Sequence, residues 1–581
     1  DAVAAAGAVR AESGAHTTPS VALTDAVAAA AGLLHDGAIV AVKGLGGYHL
    51  ACRADDEAAV GALRARKHRE DRPFALMAAD VAGARALVEL DAAAEALLVS
   101  PARPIVLAPR RRGARVAGAV APAVRELGVM LPYAPLHHLL LADAGTPLVL
   151  TSGNVSDEPI AFRDDDALER LAPIADAFLV HDRPIHVRTD DSVARTVRGR
   201  PAVLRRSRGW VPESLALPVP ARRHVLACGA ELKSTFCVAR DERAWIGHHI
   251  GDLQNAATLA AYREGIEHFE RLFAVRPGVV AHDLHPQYLS TAYALERSGV
   301  ELAGVQHHHA HLAACLAEHG CDPTRPAVGA IFDGAGLGTD GTVWGGEILA
   351  GDLRGFERAG SLWPVRQPGG DRAAREPWRM ACAWLVAAGE PEPPLPPALA
   401  GRVADDAWRT VARMAARGFA APETTSMGRL FDAVAALCGL RTHATYEGQA
   451  AIELEGVADP GARGAYALPL DADGRLDARA TVLEVLADVG AGVAAGVVSA
   501  RFHRALAAAT AEACAMAAGA AGTELAVLSG GVFQNRLLLA ATAERLEARG
   551  LRVLVPERVP ANDGGISFGQ AAIAAARDAS A

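Results

Sequence analysis

The chain reads as an α/β protein of two unequal domains, the second an internally repeated fold with a helical insertion, and three observations lead to that reading. Apolar stretches of strand length alternate with helical segments from residue 24 to about residue 210. A proline-bearing stretch, VPESLALPVPARRH, then interrupts the alternation. Beyond it, three apolar strands each run into a glycine turn, in LACGAELKSTFCVA, VGAIFDGAGLGTDGTVWGGEIL and LAVLSGGVFQN.

The bulk properties agree with this division. At 581 residues, with 51% hydrophobic and 22% charged residues, the chain exceeds what one core supports. Alanine supplies much of the apolar content, but Arg, Asp and Glu interrupt it, so no run of about twenty apolar residues predicts a membrane span. The start does not read as a signal peptide. A formal net charge of −9 argues against a nucleic-acid partner, which would call for clustered Lys and Arg. Eight scattered cysteines without a CxxC pair suggest neither a disulfide framework nor a zinc ribbon, so the expected compartment is the cytoplasm. Residues 1 to 23 are poorly patterned and begin with Asp, which leads to the expectation that the native N-terminus lies upstream.

In chain order, a helix from Thr24 closes at Gly37 and leads into the strand AIVAVKG. The first domain is expected over residues 24–212. Residues 213–222 are expected as a linker, because their prolines disfavour both helix and central strand. The second domain is expected over 223–581. Its three strand-then-glycine turns place backbone N–H groups where phosphates could approach, and their repetition suggests two similar halves. Residues 372–440 are expected to be a mainly helical insertion.

Candidate chemistry in the first domain begins with RKHREDRPFALM. Read as an extended segment, it puts Lys67 and Arg69 on the same side, with Arg72 close by, where they could neutralise a triphosphate or a carboxylate-like substrate. On composition alone the same run reads as a solvated helix end. LVLTSGNVSDEPI ends a hydrophobic strand in Ser152, Gly153 and Asn154, at the carboxyl end where open α/β sheets bind ligands, although a plain turn would look the same. HDRPIHVRTDDSVAR and LRRSRGW add Arg188, Asp190, Asp191, Ser192, Arg206, Ser207 and Arg208. One basic and polar cleft would account for all three segments.

In the second domain, VQHHHAHLAA places His307 and His311 at i and i+4 on one helix face, a spacing that can share a cation. His308 and His309 cannot share that face, and the glutamate of HExxH is absent, which removes a zincin protease. Asp333 is expected to end the strand AVGAIF, and Asp563 precedes the helix GGISFGQAAIAAA; each could equally be a turn former or an N-cap. Two His and two Asp make a mixed N/O set compatible with Zn²⁺, Fe²⁺ or Mn²⁺. Asp432, Glu447 and Asn535 suit nucleotide contacts or, alternatively, helix caps and surface charge.

These strings resemble known families. Lys67-His68-Arg69, Ser152-Gly153-Asn154 and the DDSV and RSRG segments look like the YrdC/Sua family, a twisted open sheet that binds ATP and makes carbamoyl-type adenylates. The resemblance implies that Lys67 and Arg69 hold the triphosphate and acyl group, that Ser152 and Asn154 contact the nucleotide, and that Ser192 and Arg208 line the pocket; Arg72, Arg188 and Arg206 are expected as further binding residues from the basic and polar cleft alone. The second domain looks like the TsaD/Kae group of the actin-like (ASKHA) superfamily. There the resemblance implies a metal at His307, His311, Asp333 and Asp563, with Lys233, Gly334, Asp432, Glu447, Gly531 and Asn535 as nucleotide contacts. This domain order, with KGLGGYHLACRA, ELGVMLPYAPLHHLLL, QPGGDRAAREPWRMA and YEGQAAIELE, resembles the HypF family of hydrogenase maturation carbamoyltransferases over residues 24 to 575. That family adds an acylphosphatase-like domain and a CxxC-rich zinc-finger segment, neither of which is in this sequence.

The resemblance implies an ATP- and Mg²⁺-dependent enzyme with a Zn²⁺ or Fe²⁺ at its His/Asp site. Its substrates would be ATP and carbamate derived from carbamoyl phosphate. Its acceptor would be the C-terminal cysteine of HypE, whose carbamoyl group becomes a cyanide ligand. The alternatives are an O-carbamoyltransferase for a small-molecule alcohol, a threonylcarbamoyl transferase for tRNA, which the acidic charge disfavours, and a nucleotide-gated binding module without turnover.

Overall fold

The computed structural model describes residues 2–5, 23–155 and 158–580, so most of the segment 1 to 23, and Ser156 and Asp157 of the TSGNVSDEPI string, lie outside the described residues. Two compact units emerge: Asp1–Glu213 with Gly247–Gly265, and Ser214–Ile246 with Ile266–Ala581. No helix among the described residues is long and apolar enough to cross a membrane.

The first unit is built on a ten-stranded mixed sheet in the order Ala2–Ala5, Ala177–Val180, Val40–Lys43, Tyr48–Arg53, Leu148–Ser152, Ala75–Met77, Glu126–Met130, Ile105–Pro109, Val193–Val197, Arg200–Arg205. Alternate residues enter separate cores: Ile39, Ala41, Leu50 and Cys52 pack into one, Val40, Val42 and Ala51 into the other. Both faces are thus covered, which is why these strands read as continuous apolar runs rather than alternating ones.

Lys67 does not lie on an extended segment. It is the last residue of the helix Glu57–Lys67, which Asp56 caps by accepting from the N–H groups of Ala58 and Ala59, and which ends at a left-handed His68 (φ 52°). Alanine and arginine carry the helix that far, and basic residues in its last turn suit the negative end of the dipole. Arg64 then pins the following loop, donating to the carbonyls of Arg69, Glu70 and Arg72 at 3.0 to 3.2 Å and to Val120 O at 3.1 Å.

The second unit repeats one plan twice. In the first half, the antiparallel hairpin Leu215–Ala227 and Cys237–Ile246 is extended by the parallel strands Val279–Asp283 and Glu301–Val305. In the second, Ala327–Leu337 and Val343–Gly351 form the hairpin, and Leu525–Ser529 and Arg552–Leu554 the parallel extension. Each half closes with a helix, His307–Glu318 and Ile566–Asp578, and residues of both helices and both sheets share one core.

Two expectations need correction here. Residues 213–222, read as a linker without strand, lie largely in the strand Leu215–Ala227. Its pairing with Cys237–Ile246 shifts register between Ala216 and Ala221, so Pro218 and Pro220 fall where the ladder asks for no N–H donor. Asp333 does not end its strand: Ala327–Leu337 runs on through it, with an irregularity between Phe332 and Gly336. Residues 372–440 carry the helices Arg372–Arg375, Trp378–Ala387, Asp405–Arg417 and Met427–Leu437, and helical structure continues to Ala521.

Candidate functional site

In the second unit, the first closing helix, the second hairpin and the turn ahead of the second closing helix together deliver a buried His/Asp cluster. Gln306 caps the His307–Glu318 helix by accepting from His309 N at 2.9 Å, which fixes where the helix begins and puts His307 and His311 one turn apart, ring centroids 5.1 Å from each other. The irregularity in the Ala327–Leu337 strand turns Asp333 toward them, as bulges do when they re-aim a side chain. Asp563 opens the short turn Asp563–Gly565 ahead of the Ile566–Asp578 helix. That helix comes close because residue 569 is Gly: a Cβ there would overlap the Ala310 carbonyl, between the two histidines.

Nε2 of His311 lies 3.0 Å from Asp333 Oδ2 and 3.7 Å from Asp563 Oδ1; Nε2 of His307 lies 3.3 and 3.6 Å from the same atoms. Each of the four residues offers a ligand atom within 4.8 Å of the others, and all four are buried. Burial opposes charge on His307, yet Asp563, Asp283 and Asp333 hold its pKa well above the ordinary value; His311 is raised, against burial, by Asp333 and Asp563. Burial likewise opposes charge on Asp333, which His307 and His311 hold well below the usual carboxylate range. Asp563 is lowered by the same histidines, against burial and the Asp333 charge. The histidines and carboxylates thus favour each other's charged forms, and a divalent cation bound among them would compete with protons for the same imidazole nitrogens.

Sequence reading missed Asp283. It ends the strand Val279–Asp283, and its Oδ2 lies 2.8 Å from His307 Nδ1 while its Oδ1 accepts from His285 N at 2.9 Å. An Nδ1–H given to Asp283 would leave Nε2 as the ligand atom for a cation held between Asp333 and Asp563, the arrangement in which a carboxylate orients a metal-binding imidazole. The donor set therefore fits a divalent metal of the zinc or iron type. The signal was available, since VVAHD ends in Asp as AIFD does. His308 and His309 point elsewhere, toward Gln306 Nε2 (3.1 Å) and Asp352 O (2.8 Å).

The other second-unit candidates separate into two groups. Gly334 and Gly531 border the cluster, their N–H groups donating to Asp333 Oδ1 at 2.8 and 3.2 Å. Lys233, in the first hairpin turn, pairs with Glu447. Asp432 is buried on the Met427–Leu437 helix and accepts from Arg429 Nε at 2.6 Å; burial pushes its carboxyl up against the pull of that guanidinium. Asn535 caps the Arg536–Glu547 helix through Leu538 N (2.9 Å) and donates to His503 Nε2 (2.8 Å), so both ends of its amide hold the fold.

In the first unit the structure joins Lys67, Ser152 and Asn154. Lys67, 1% exposed, donates from Nζ to Ser152 O (2.7 Å), Asn154 O (2.6 Å) and Asn154 Oδ1 (2.5 Å), and Ser152 Oγ donates to Asn154 Oδ1 at 2.8 Å. Burial first, and then the Arg69 charge, holds the pKa of Lys67 well below its ordinary value. Arg69 donates to Pro73 O at 2.7 Å and lies over the Phe74 ring, while Arg72 is exposed.

A second polar group was only partly foreseen. Arg208 donates to Asp191 Oδ1 (2.7 Å) and to the carbonyls of Ala102 and Arg103, and stacks 3.5 Å over the Tyr133 ring. Asp191 Oδ2 meets His49 Nε2 at 3.1 Å. Ser192 bridges Arg208 O and Ser207 N. Arg206 donates to Glu213 O, and Arg188 reaches Glu264 Oε2 at 2.8 Å. His49 sits opposite Ser152 in the sheet register, which places it beside the Lys67 network. It lies in KGLGGYHLACRA, and Tyr133 in ELGVMLPYAPLHHLLL, strings to which sequence reading gave no chemistry.

Comparison with known proteins follows the same division. A Sua5/YciO/YrdC family model described as "Telomere recombination" matches residues 32–207. One described as "HypF Kae1-like domain" matches 220–318, and one described as "Carbamoyltransferase, Kae1-like Domain, second subdomain" matches 329–570. "Carbamoyltransferase HypF2" of Cupriavidus necator is 44% identical over 602 aligned residues, covering 95% of this chain and 73% of that protein. "Carbamoyltransferase HypF" of Rhodobacter capsulatus is 46% identical over 563, with the same coverage. A crystal structure of full-length HypF in a phosphate- and nucleotide-bound form superposes with a TM-score of 0.90 at 40% identity, covering 95% of this chain and 72% of that one.

Proposed function

The chain belongs to the HypF carbamoyltransferase family and is an ATP-dependent carbamoyltransferase of hydrogenase maturation, and from that premise we propose a two-step division of labour. The first unit joins carbamate, derived from carbamoyl phosphate, to ATP. The second transfers the carbamoyl group to the C-terminal cysteine thiolate of HypE, for the cyanide ligand of a [NiFe] centre. A thiolate acceptor is best kept reduced in the cytoplasm.

In the first step a carbamate oxygen attacks the α-phosphorus of Mg²⁺-bound ATP; that P–O bond forms as the bond to pyrophosphate breaks, giving carbamoyl adenylate. Lys67 and Arg69 offset the charge that accumulates on the phosphates. Lys67, now donating to three oxygen acceptors at the end of the Leu148–Ser152 strand, would find stronger ones in a triphosphate, and a phosphate beside it favours the ammonium that burial penalises. Ser152 and Asn154 contact the nucleotide, and Ser192 and Arg208 form the pocket wall.

In the second step the HypE thiolate attacks the carbamoyl carbon, a C–S bond forms, and AMP leaves with the electron pair of the broken C–O bond. His307, His311, Asp333 and Asp563 would hold a divalent ion whose chemistry, when bound, is that of a Lewis acid toward phosphate and carbonyl oxygens. Asp283 keeps His307 in the tautomer that presents Nε2. Gly334 and Gly531 bring backbone N–H groups to the rim of the same cluster, with Lys233, Asp432 and Glu447 as candidates for the nucleotide. No cysteine of this chain serves as nucleophile; the eight are free thiols, six of them buried.

The observation that carries this reading is the convergence of four ligand atoms within 4.8 Å, backed by Asp283. The test is to incubate the chain with ATP, Mg²⁺, bicarbonate and ammonium, with and without HypE, following AMP, pyrophosphate and the intact mass of HypE. One carbamoyl group on HypE with stoichiometric AMP is expected. Carbamate-dependent AMP release without a mass change would remove HypE as acceptor, and absence of AMP release would contradict adenylation.

A further inference from the structure

The helix that carries His307 and His311 also grips, from its other end, the segment that delivers Asp563. Glu318 is its last residue and is 7% exposed. Its Oε1 accepts from Glu557 N and Arg558 N, both at 2.8 Å, and its Oε2 from Val559 N at 3.0 Å. Two more bonds close the same joint: Arg558 Nη2 donates to Glu318 O at 2.7 Å, and His319 Nε2 lies 2.9 Å from Val555 O. Residues 555 to 559 lead from the strand Arg552–Leu554, through Pro560, to Asp563, four positions past Val559.

We propose that Glu318 is a positioning residue that sets Asp563 against His307 and His311. The inference rests on the reading of those residues as a metal site. From His311 to Glu318 is seven residues, roughly 10 Å at about 1.5 Å per residue, so Glu318 takes no part in the chemistry. An α-helix is stiff over that length, and its two ends therefore fix the cluster from two directions. The first turn presents the imidazoles, and the last turn anchors the chain just ahead of the carboxylate. Beyond the anchor, Gly530 N donates to Ala561 O at 3.0 Å and Asn562 Nδ2 to Gln534 Oε1 at 3.1 Å, leaving little slack before Asp563.

The joint requires a carboxylate. Three N–H groups converge on two oxygens, and an ionised carboxylate is an acceptor at both. Gln at 318 keeps the size but turns an NH₂ toward one of those donors, which pushes residues 557 to 559 away and moves Asp563 with them. Asp keeps the charge but shortens the arm by one methylene.

The experiment is a Co²⁺ titration of the full chain, read by affinity and by the visible d–d spectrum, on the unaltered protein and on Glu318→Gln, Glu318→Asp, Asp563→Ala and His311→Ala. Glu318→Gln is expected to weaken Co²⁺ binding about 10- to 100-fold, the range seen when outer-shell partners are removed, with an altered spectrum and unchanged carbamate-dependent ATP–pyrophosphate exchange. Glu318→Asp carries the same readouts should the Gln variant fail to fold, and is expected to lie between Gln and the unaltered protein. Unchanged affinity and spectrum in whichever Glu318 variant folds, with binding lost in His311→Ala, would overturn the positioning role alone. Unchanged binding in His311→Ala would overturn the metal reading and this inference with it.

Discussion

Asp283 decides what His307 can do. A neutral imidazole has one donor and one acceptor nitrogen, and the 2.8 Å approach of Asp283 Oδ2 to Nδ1 assigns the donor to that side. Asp283→Asn retains the shape but loses the charge and can present either an oxygen or an NH₂ to the ring, so the tautomer is no longer fixed. Zinc affinity, measured by competition with a chromophoric chelator, is expected to fall about 10- to 100-fold; an unchanged affinity would show that Asp283 does not orient the ligand. The four-residue cluster itself was legible in the sequence because its parts carry strong local signals, an i, i+4 histidine pair and two aspartates beside glycine turns. Asp283, His49 and Glu318 were not read, because each acts through a partner distant in sequence: 24 residues for Asp283 with His307, 142 for His49 with Asp191, and 239 for Glu318 with Glu557.

At the scale of elements, Asn535 illustrates how a residue suited to a nucleotide can instead hold a helix. Its Oδ1 accepts from Leu538 N and its Nδ2 donates to a buried His503, whose Nδ1 lies 2.8 Å from Ser499 O. Asn535→Ala is expected to cost about 0.5–2 kcal/mol, the range for lost N-caps, toward the upper end because His503 loses its partner as well. Nucleotide affinity should not change; a large loss of affinity with unaltered denaturation midpoint would return Asn535 to the binding residues. Apolar strands were readable throughout, since burial on both faces leaves a continuous hydrophobic run. The strand Leu215–Ala227 was not, because its prolines sit at a register shift that no local pattern reveals. The run to Lys67 was misread as extended because a basic stretch looks alike at a helix end and in a loop.

For the whole molecule, the repeated order of hairpin and two parallel strands explains why the four metal candidates come from three distant segments. Equivalent ends of the two halves supply the His307–Glu318 and Ile566–Asp578 helices, and the second hairpin supplies Asp333. Sequence reading recovered the duplication from three strand-then-glycine turns, but the pairing of the two closing helices depends on Gly569, an unremarked residue whose importance lies in the backbone it allows to approach. In the proposed division of labour, activation falls to the unit that holds Lys67 and transfer to the unit that holds His311. The most direct test is carbamate-dependent ATP–pyrophosphate exchange in Lys67→Ala and His311→Ala, measured beside carbamoylation of HypE. Lys67→Ala should lose exchange, and His311→Ala should keep it while transferring nothing; equal loss of exchange in both variants would contradict the division.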